Sequence, residues 1–345
     1  MSEGRLKHFI VPIFIPNQGC PHLCAFCEQK RITSQGGELV NGRHVKEVLD
    51  KAVESKKFHL QRKSEVAFYG GTFTGLPLDQ IRDLLEAVAP YIREGLFRSI
   101  RVSTRPDTLD EGRLKLMKCY GVDTVELGVQ SMDEQVLSLS KRGHTAEDTE
   151  RAVKTLRKYG FKVGIQLMPG LPGDSQEKFQ STVTQVINLH PDMVRLYPAL
   201  VIHGTILSRW YREGRYKPMG LEEAVAICID SCMRLEDKAI PVIRIGLMSS
   251  PSLLKKGQII AGPWHTAFGF LVRSGIYLRG IEPDLPRPGV VSRLAILVSK
   301  GDIHLVRGYR NEGLRWIERK TGAEVTGVRI DGSIRPGRVK IEKIL

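Results

Sequence analysis

Cys20, Cys24 and Cys27 fall in one short stretch, Cys20-Pro-His-Leu-Cys24-Ala-Phe-Cys27, and form a C-x3-C-x2-C triplet. Three thiolates this close can hold three irons of a [4Fe–4S] cluster, leaving the fourth iron without a protein ligand. Such clusters usually take four cysteines, so an open iron implies a site for another molecule. Two plainer chemistries compete. A zinc ion would need His22 or a distant residue to complete its tetrahedron. Disulfide pairing would leave one of the three over, and nothing else in the chain suggests secretion.

A cysteine loop does chemistry only where a scaffold holds it, and the chain around it alternates. An amphipathic helix at 42–57 puts Val45, Val48, Leu49, Ala52 and Val53 on one face. Strand-like runs follow at 65–69, 98–103, 123–129, 161–167 and 192–197, with helical stretches between them at 78–94, 110–119, 133–140, 145–158 and 175–189. With a first strand at 9–15, this makes six β/α units, which implies a parallel sheet with right-handed crossovers. Six units suit an open doubly wound sheet or an incomplete barrel, and no G-x-G-x-x-G follows the first strand, which weighs against a dinucleotide fold.

The positions of the unusual residues separate the two architectures. Each strand runs into a polar or glycine-rich cluster: the cysteines, then Gly70-Gly71-Thr72-Phe73-Thr74, then Ser103-Thr104-Arg105-Pro106-Asp107. The fourth meets Gly128-Val129-Gln130-Ser131, the fifth Gln166 and Pro169 to Gly173, and the sixth Tyr197-Pro198. One such cluster is ordinary turn chemistry. Six at successive strand ends are how β/α barrels build active sites.

Beyond the sixth strand the sequence predicts helices at 205–213 and 221–237, a strand-like Ile240 to Leu247, and then an apolar Gln258 to Val272. Glu282 to Gly289 reads as a proline-rich linker. After it come a strand (291–298), a helix (311–320) and two more strands (323–330 and 337–344). No internal repeat or low-complexity tract is present.

The chain of 345 residues is 41% apolar, enough for a sizeable core. No apolar run reaches the roughly 18 residues of a membrane span. The run Phe9 to Ile15 follows Arg5 and Lys7, but Pro12 breaks it and no small-residue cleavage site follows, so it reads as a buried strand. A cytoplasmic location, where thiols stay reduced, is expected. Lys and Arg exceed Asp and Glu by 14, and residues 285–345 hold 13 basic against 6 acidic residues. A basic surface of this kind favours polyanions, nucleic acid first among them, although a merely solvated basic face has the same composition.

With these motifs in view, the chain resembles the radical S-adenosylmethionine (radical SAM) superfamily, and within it the elongator-catalytic-subunit-like group. The resemblance covers roughly residues 8 to 275 and rests on the triplet together with GGTFTGLP (70–77), STRPD (103–107), LGVQS (127–131), KRGHT (141–145), MPGLPG (168–173), DMVRLYP (192–198) and GRYKP (214–218). It implies an α/β fold, an incomplete (β/α)6 radical SAM barrel with a smaller basic α+β C-terminal extension. The expected divisions are 1–240 for the partial barrel, 241–284 for a barrel-associated extension of the radical SAM C-terminal type, and 285–345 for the basic module.

The resemblance also implies roles. Cys20, Cys24 and Cys27 would ligate a [4Fe–4S] cluster whose open iron is chelated by S-adenosylmethionine. Gly70, Gly71 and Thr72 match the motif whose backbone meets the methionine amino group, as suits glycine's close approach. Gln130, Arg142 and Gln166 fall where relatives bind ribose and carboxylate, a carboxylate being well met by an arginine fork. Phe26 would lie near the adenine. Ser103 stands where some relatives carry an acidic residue. The implied reaction is reductive cleavage of S-adenosylmethionine to a 5′-deoxyadenosyl radical, with electrons from a protein such as flavodoxin or ferredoxin.

The group's full members carry an acetyltransferase domain, for which the segment after the match is short. No acetyl-coenzyme A signature is seen, and the cysteine spacing is the common superfamily one. The foremost expectation is therefore an RNA-modifying enzyme, with transfer RNA wobble uridine as the first target. The alternatives are a radical SAM enzyme acting on a small molecule or peptide, and a non-enzymatic iron–sulfur module that binds RNA or senses redox state. Among remaining candidates, Cys228 and Cys232, one helical turn apart, could join Cys119 in a second cluster but sit among apolar residues that favour core packing. His144 and His265 are candidate substrate contacts or ordinary hydrogen-bonded histidines. Trp264, Phe268 and Phe270 could stack on a base or fill a core.

Overall fold

The computed structural model describes residues 9–21, 23–29, 39–56, 58, 64–247 and 249–344. His22, Arg5 and Lys7 lie outside the described residues. The alternating segments become β1 (Phe9–Phe14), α1 (Gly42–Val53), β2 (Ser64–Tyr69), α2 (Leu78–Arg93), β3 (Ser99–Thr104), α3 (Glu111–Cys119), β4 (Val122–Gln130), α4 (Glu134–Leu139), α5 (Ala146–Lys158), β5 (Lys162–Leu167), α6 (Gln176–Leu189) and β6 (Met193–Leu196). Five of these helices begin on a side-chain cap: Asn41, Asp110, Asp133, Thr145 and Ser175 each accept the backbone N–H three residues on.

The six expected strands lie side by side in chain order, all parallel. A seventh strand joins them. After a short ribbon strand β7 (Val201–Ile202), helix α7 (Ile206–Arg212) and helix α8 (Leu221–Asp237), strand β8 (Val242–Ile245) pairs parallel with β6. The sheet runs from β1 at one edge to β8 at the other without closing, so the barrel is incomplete.

The two faces of the sheet differ. Val66, Phe68, Ile100, Val102, Val125, Leu127, Val163, Ile165, Val194 and Leu196 point to the helices and form the main core. The alternate residues on the inner face are largely polar: Glu65, Arg101, Glu126 and Arg195. A parallel sheet covered on both faces normally reads as near-continuous apolar strands. The alternation here therefore marks an inner face kept for something other than packing.

The stretch Gln258 to Val272 divides into β9 (Ile259–Ala261), which pairs antiparallel with β7, and the start of α9 (Phe268–Ile281). Beyond the linker, β10 (Arg293–Val298) lies between β11 (Glu324–Ile330) and β12 (Val339–Ile344), with α10 (Ile303–Arg307) and α11 (Glu312–Thr321) against one face. Helix α9 joins the two cores. Phe268 and Val272 are buried in the main core, whereas Tyr277, Leu278 and Ile281 are buried with Leu294, Ile296, Val298 and Ile317 of the C-terminal sheet and helices. Two glycines let α9 approach closely: a Cβ on Gly275 would stand 2.2 Å from Ile229 Cδ1, and one on Gly269 3.0 Å from the Ile245 carbonyl.

Candidate functional site

The cysteine loop leaves β1 at the C-terminal end of the sheet and is sewn to the turn that leaves β2. Ile15 N–H donates to the Tyr69 carbonyl (2.8 Å) and Thr72 N–H to the Gln18 carbonyl (2.8 Å). Gln29 Oε1 accepts from both Asn17 N–H and Gly71 N–H at 2.6 Å. The fit depends on missing side chains. A Cβ on Gly71, whose φ is +57°, would stand 2.4 Å from the Gln18 carbonyl oxygen, and one on Gly19 (φ +70°) 2.2 Å from that of Thr72. Gly71, read from sequence as a cofactor contact, is thus needed to seat the cysteine loop.

The other side of the loop is held by backbone contacts. Ala25 N–H donates to the Ser140 carbonyl (3.0 Å), and Leu207 N–H of α7 donates to the Ala25 carbonyl (2.7 Å). Phe26 packs half-buried between two small apolar clusters, one with Met168, Leu171 and Ala199, the other with Val201, Leu207 and Tyr216.

Donors surround the sulfurs. Arg142 Nη1 donates to Cys24 Sγ at 3.0 Å, and its Nη2 donates to the Gly128 carbonyl. Thr72 Oγ1 lies 3.2 Å from Cys20 Sγ, and Asn17 Nδ2 donates to Cys27 Sγ at 3.9 Å. Burial, and then the neighbouring Cys24 and Cys20, push the Cys27 thiol up to about 12. Burial also raises Cys20, against the hydrogen bond from Thr72. A bound metal reverses this balance by deprotonating its thiols outright. Among the described residues no three His, Cys, Asp or Glu side chains gather as a site for a single metal ion. A cluster asks for something else, since each thiolate takes a different iron. Three sulfurs on one short loop, that of Cys24 buried and the others partly so, faced by guanidinium, hydroxyl and amide donors, fit such an anionic iron–sulfur group.

Gln130 and Gln166, from the ends of β4 and β5, come together: Gln166 Nε2 donates to Gln130 Oε1 at 3.3 Å. Gln130 has a φ of +72°, in the left-handed region that non-glycine residues rarely adopt, and the β4–β5 ladder shifts register just before it. Backbone strain of this sort recurs at functional sites. His144 is buried beside Arg142, and neither ring nitrogen has a hydrogen-bond partner of good geometry among the described residues. Burial first, then the charges of Arg142 and Arg105, push its pKa down to about 3.

The structure thus brings Cys20, Cys24, Cys27, Phe26, Gly70, Gly71, Thr72, Gln130, Arg142 and Gln166 to one end of the sheet. Cys228 and Cys232 are instead buried in the main core, and burial holds both thiols high. Cys119 is exposed. Phe268 fills the main core and Trp264 packs on Leu200, Ile202 and Leu253. His265 meets Tyr309 edge-on, with ring centroids 4.7 Å apart.

Sequence reasoning missed a charged network on the inner face of the sheet. Arg101 Nη2 pairs with Glu65 (2.7 Å) and its Nη1 with Glu126 (2.6 Å). Arg195 Nε pairs with the other Glu126 oxygen (2.8 Å), and its terminal nitrogens reach the hydroxyls of Tyr69 (2.7 Å) and Tyr197 (3.1 Å). A Cβ on Gly164 would stand 2.9 Å from Glu126 Cγ, so the glycine makes room for this carboxylate. The signal that could have found the network was polar residues recurring at every second position of otherwise apolar strands.

Comparison with known proteins bears on the family and the fold. Residues 14–186 match the Radical SAM superfamily model, and residues 191–277 the Radical_SAM C-terminal domain. The tRNA uridine(34) acetyltransferase of Methanocaldococcus jannaschii is 34% identical over 261 residues, 66% of this chain and 48% of its own. Human Elongator complex protein 3 is 28% identical over 262 residues, 63% of this chain and 48% of its own. Among solved structures, that of Methanocaldococcus infernus Elp3 with an N-terminus deletion superposes with a TM-score of 0.60 at 25% identity, covering 79% of this chain and 63% of that one. The chain spans about half the length of these curated relatives.

Proposed function

The chain belongs to the radical SAM superfamily, whose members use a [4Fe–4S] cluster and S-adenosylmethionine, and we propose that it works at the C-terminal mouth of its barrel to modify RNA, the wobble uridine of transfer RNA first. The observation that carries this reading is the convergence described above, of three donor-faced sulfurs with the glycine turn, the glutamine pair and Arg142 at the ends of four different strands. When bound, the reduced cluster and S-adenosylmethionine supply a 5′-deoxyadenosyl radical that abstracts hydrogen from the substrate.

The chain's own residues bind and orient. Cys20, Cys24 and Cys27 hold three irons. Arg142 steadies the Cys24 sulfur and meets the carboxylate of S-adenosylmethionine. Gly70, Gly71 and Thr72 present backbone to its amino group, Gln130 and Gln166 meet its ribose, and Phe26 backs its adenine. The RNA target is supported by the activity for which the tRNA uridine(34) acetyltransferase relatives are named and by the excess of 14 positive charges. A cytoplasmic setting and an electron-donor protein such as flavodoxin or ferredoxin go with the same reading; no helix among the described residues is long and apolar enough to cross a membrane.

The test is anaerobic reconstitution with iron, sulfide, S-adenosylmethionine and a strong reductant. The native chain is expected to bind about four irons and to release 5′-deoxyadenosine, whereas Cys24→Ala loses both and Cys228→Ala keeps both. Full iron content in Cys24→Ala would sink the assignment.

A further inference from the structure

The charged network on the inner face ends at the barrel mouth, where Tyr69 directly precedes Gly70 and Tyr197 directly follows β6. Arg195 can only donate, so the two phenol oxygens must be the acceptors of its terminal N–H groups. Each phenol therefore keeps its own hydrogen, and no acceptor for either is present among the described residues. Burial, and then the charge of Glu126, hold the Tyr69 phenol well above its ordinary range, so it stays a protonated donor.

The same network fixes the charge at the mouth. Glu126 pairs with both Arg101 and Arg195, and Glu65 also pairs with Arg101, so each guanidinium has a carboxylate partner. All four sit in or near the interior, with the Arg101 and Glu126 side chains 7% and 5% exposed. Buried ion networks of this kind are seldom the most stable way to fill a barrel, which speaks for a positioning role. A phosphate or carboxylate would call for an uncompensated cation. Two neutral O–H donors, held to the two ends of one guanidinium, instead suit a single uncharged oxygen with two lone pairs.

We infer that Tyr69 and Tyr197, oriented by Arg195, form a two-donor site at the barrel mouth that takes a neutral carbonyl oxygen of the substrate. On the RNA reading above, upon which this further step rests, that oxygen belongs to the pyrimidine base presented for reaction. A base must leave its stack to reach such a site, as is usual for enzymes that work on bases.

The test uses the reconstituted holoprotein with S-adenosylmethionine and two anticodon stem–loops, one with uridine at the wobble position and one abasic there. Tyr69→Phe and Tyr197→Phe each remove one hydroxyl and little else, with the visible absorbance of the cluster as folding control. Each variant is expected to weaken binding of the uridine stem–loop about three- to tenfold, the range of one neutral hydrogen bond, and to leave the abasic affinity unchanged. Unchanged affinity for the uridine form, or an equal loss for both RNAs, overturns the two-donor site while the RNA reading stands. Failure of the native protein to retain either RNA overturns the RNA reading, and this inference with it.

Discussion

Among single residues, Arg142 touches the Cys24 sulfur, and in the proposed function it also meets the carboxylate of S-adenosylmethionine. Arg142→Ala is expected to weaken S-adenosylmethionine binding roughly ten- to a hundredfold, the worth of a charge-assisted hydrogen bond, while the three thiolates still bind iron. Titration of the reconstituted variant by a fluorescent or equilibrium-dialysis assay checks it, and native-like affinity would remove Arg142 from the carboxylate. His144 gives a pH signature. Its folded pKa, about 3, lies below the ordinary value of 6.5, so the unfolded chain binds the proton more readily. The stability it contributes is complete above pH 6.5 and is lost as pH falls below that value, with a slope of up to about 1.4 kcal/mol per pH unit. Denaturant midpoints measured at successive pH values should show this slope in the native chain and a flatter one in His144→Gln. The cysteines were legible because ligand spacing is local. Arg195, Tyr69 and Glu126 were not, because their meaning depends on which face of a strand they occupy and which strands lie opposite. Glu65 to Tyr69 read simply as an apolar run.

At the scale of elements, the crossover helices were legible from apolar periodicity, and the strands that follow them from short apolar runs. Helix α9 was not, for a physical reason. It is buried against two cores, so its apolar residues do not form a single stripe, and Gly269, Gly275 and Gly280 depress its helix propensity. Gly275 is there because Ile229 leaves no space for a side chain. This arrangement decides how the C-terminal segment relates to the barrel. Tyr277, Leu278 and Ile281 of α9 are covered by β10, α10 and α11, each such side chain contributing about 1.5–3 kcal/mol on full burial. Truncation after Pro283 should therefore uncover an apolar strip and lower the thermal midpoint or solubility of the barrel. A soluble truncated chain with an unchanged midpoint would show that the segment is only appended.

For the whole molecule, the basic excess of residues 285–345 suits from sequence either a polyanion-binding surface or a solvated basic face. In the structure four of the thirteen basic residues of 285–345 are paired locally, Arg315 with Glu312, Lys320 with Glu282, Arg293 with Glu324 and Arg329 with Glu342, while the net excess remains. Exposed pairs of this kind add little stability but do lower the free charge available to phosphates. On the RNA reading proposed above, the net positive field of the whole chain acts together with the barrel mouth. The most direct measurement is anaerobic incubation of the reconstituted full chain with S-adenosylmethionine, reductant and unmodified transfer RNA, followed by nucleoside mass spectrometry. The expected result is a new uridine-derived nucleoside that appears only when S-adenosylmethionine and all three cysteines are present, accompanied by 5′-deoxyadenosine. Release of 5′-deoxyadenosine at full rate with every nucleoside unchanged would contradict RNA as the substrate.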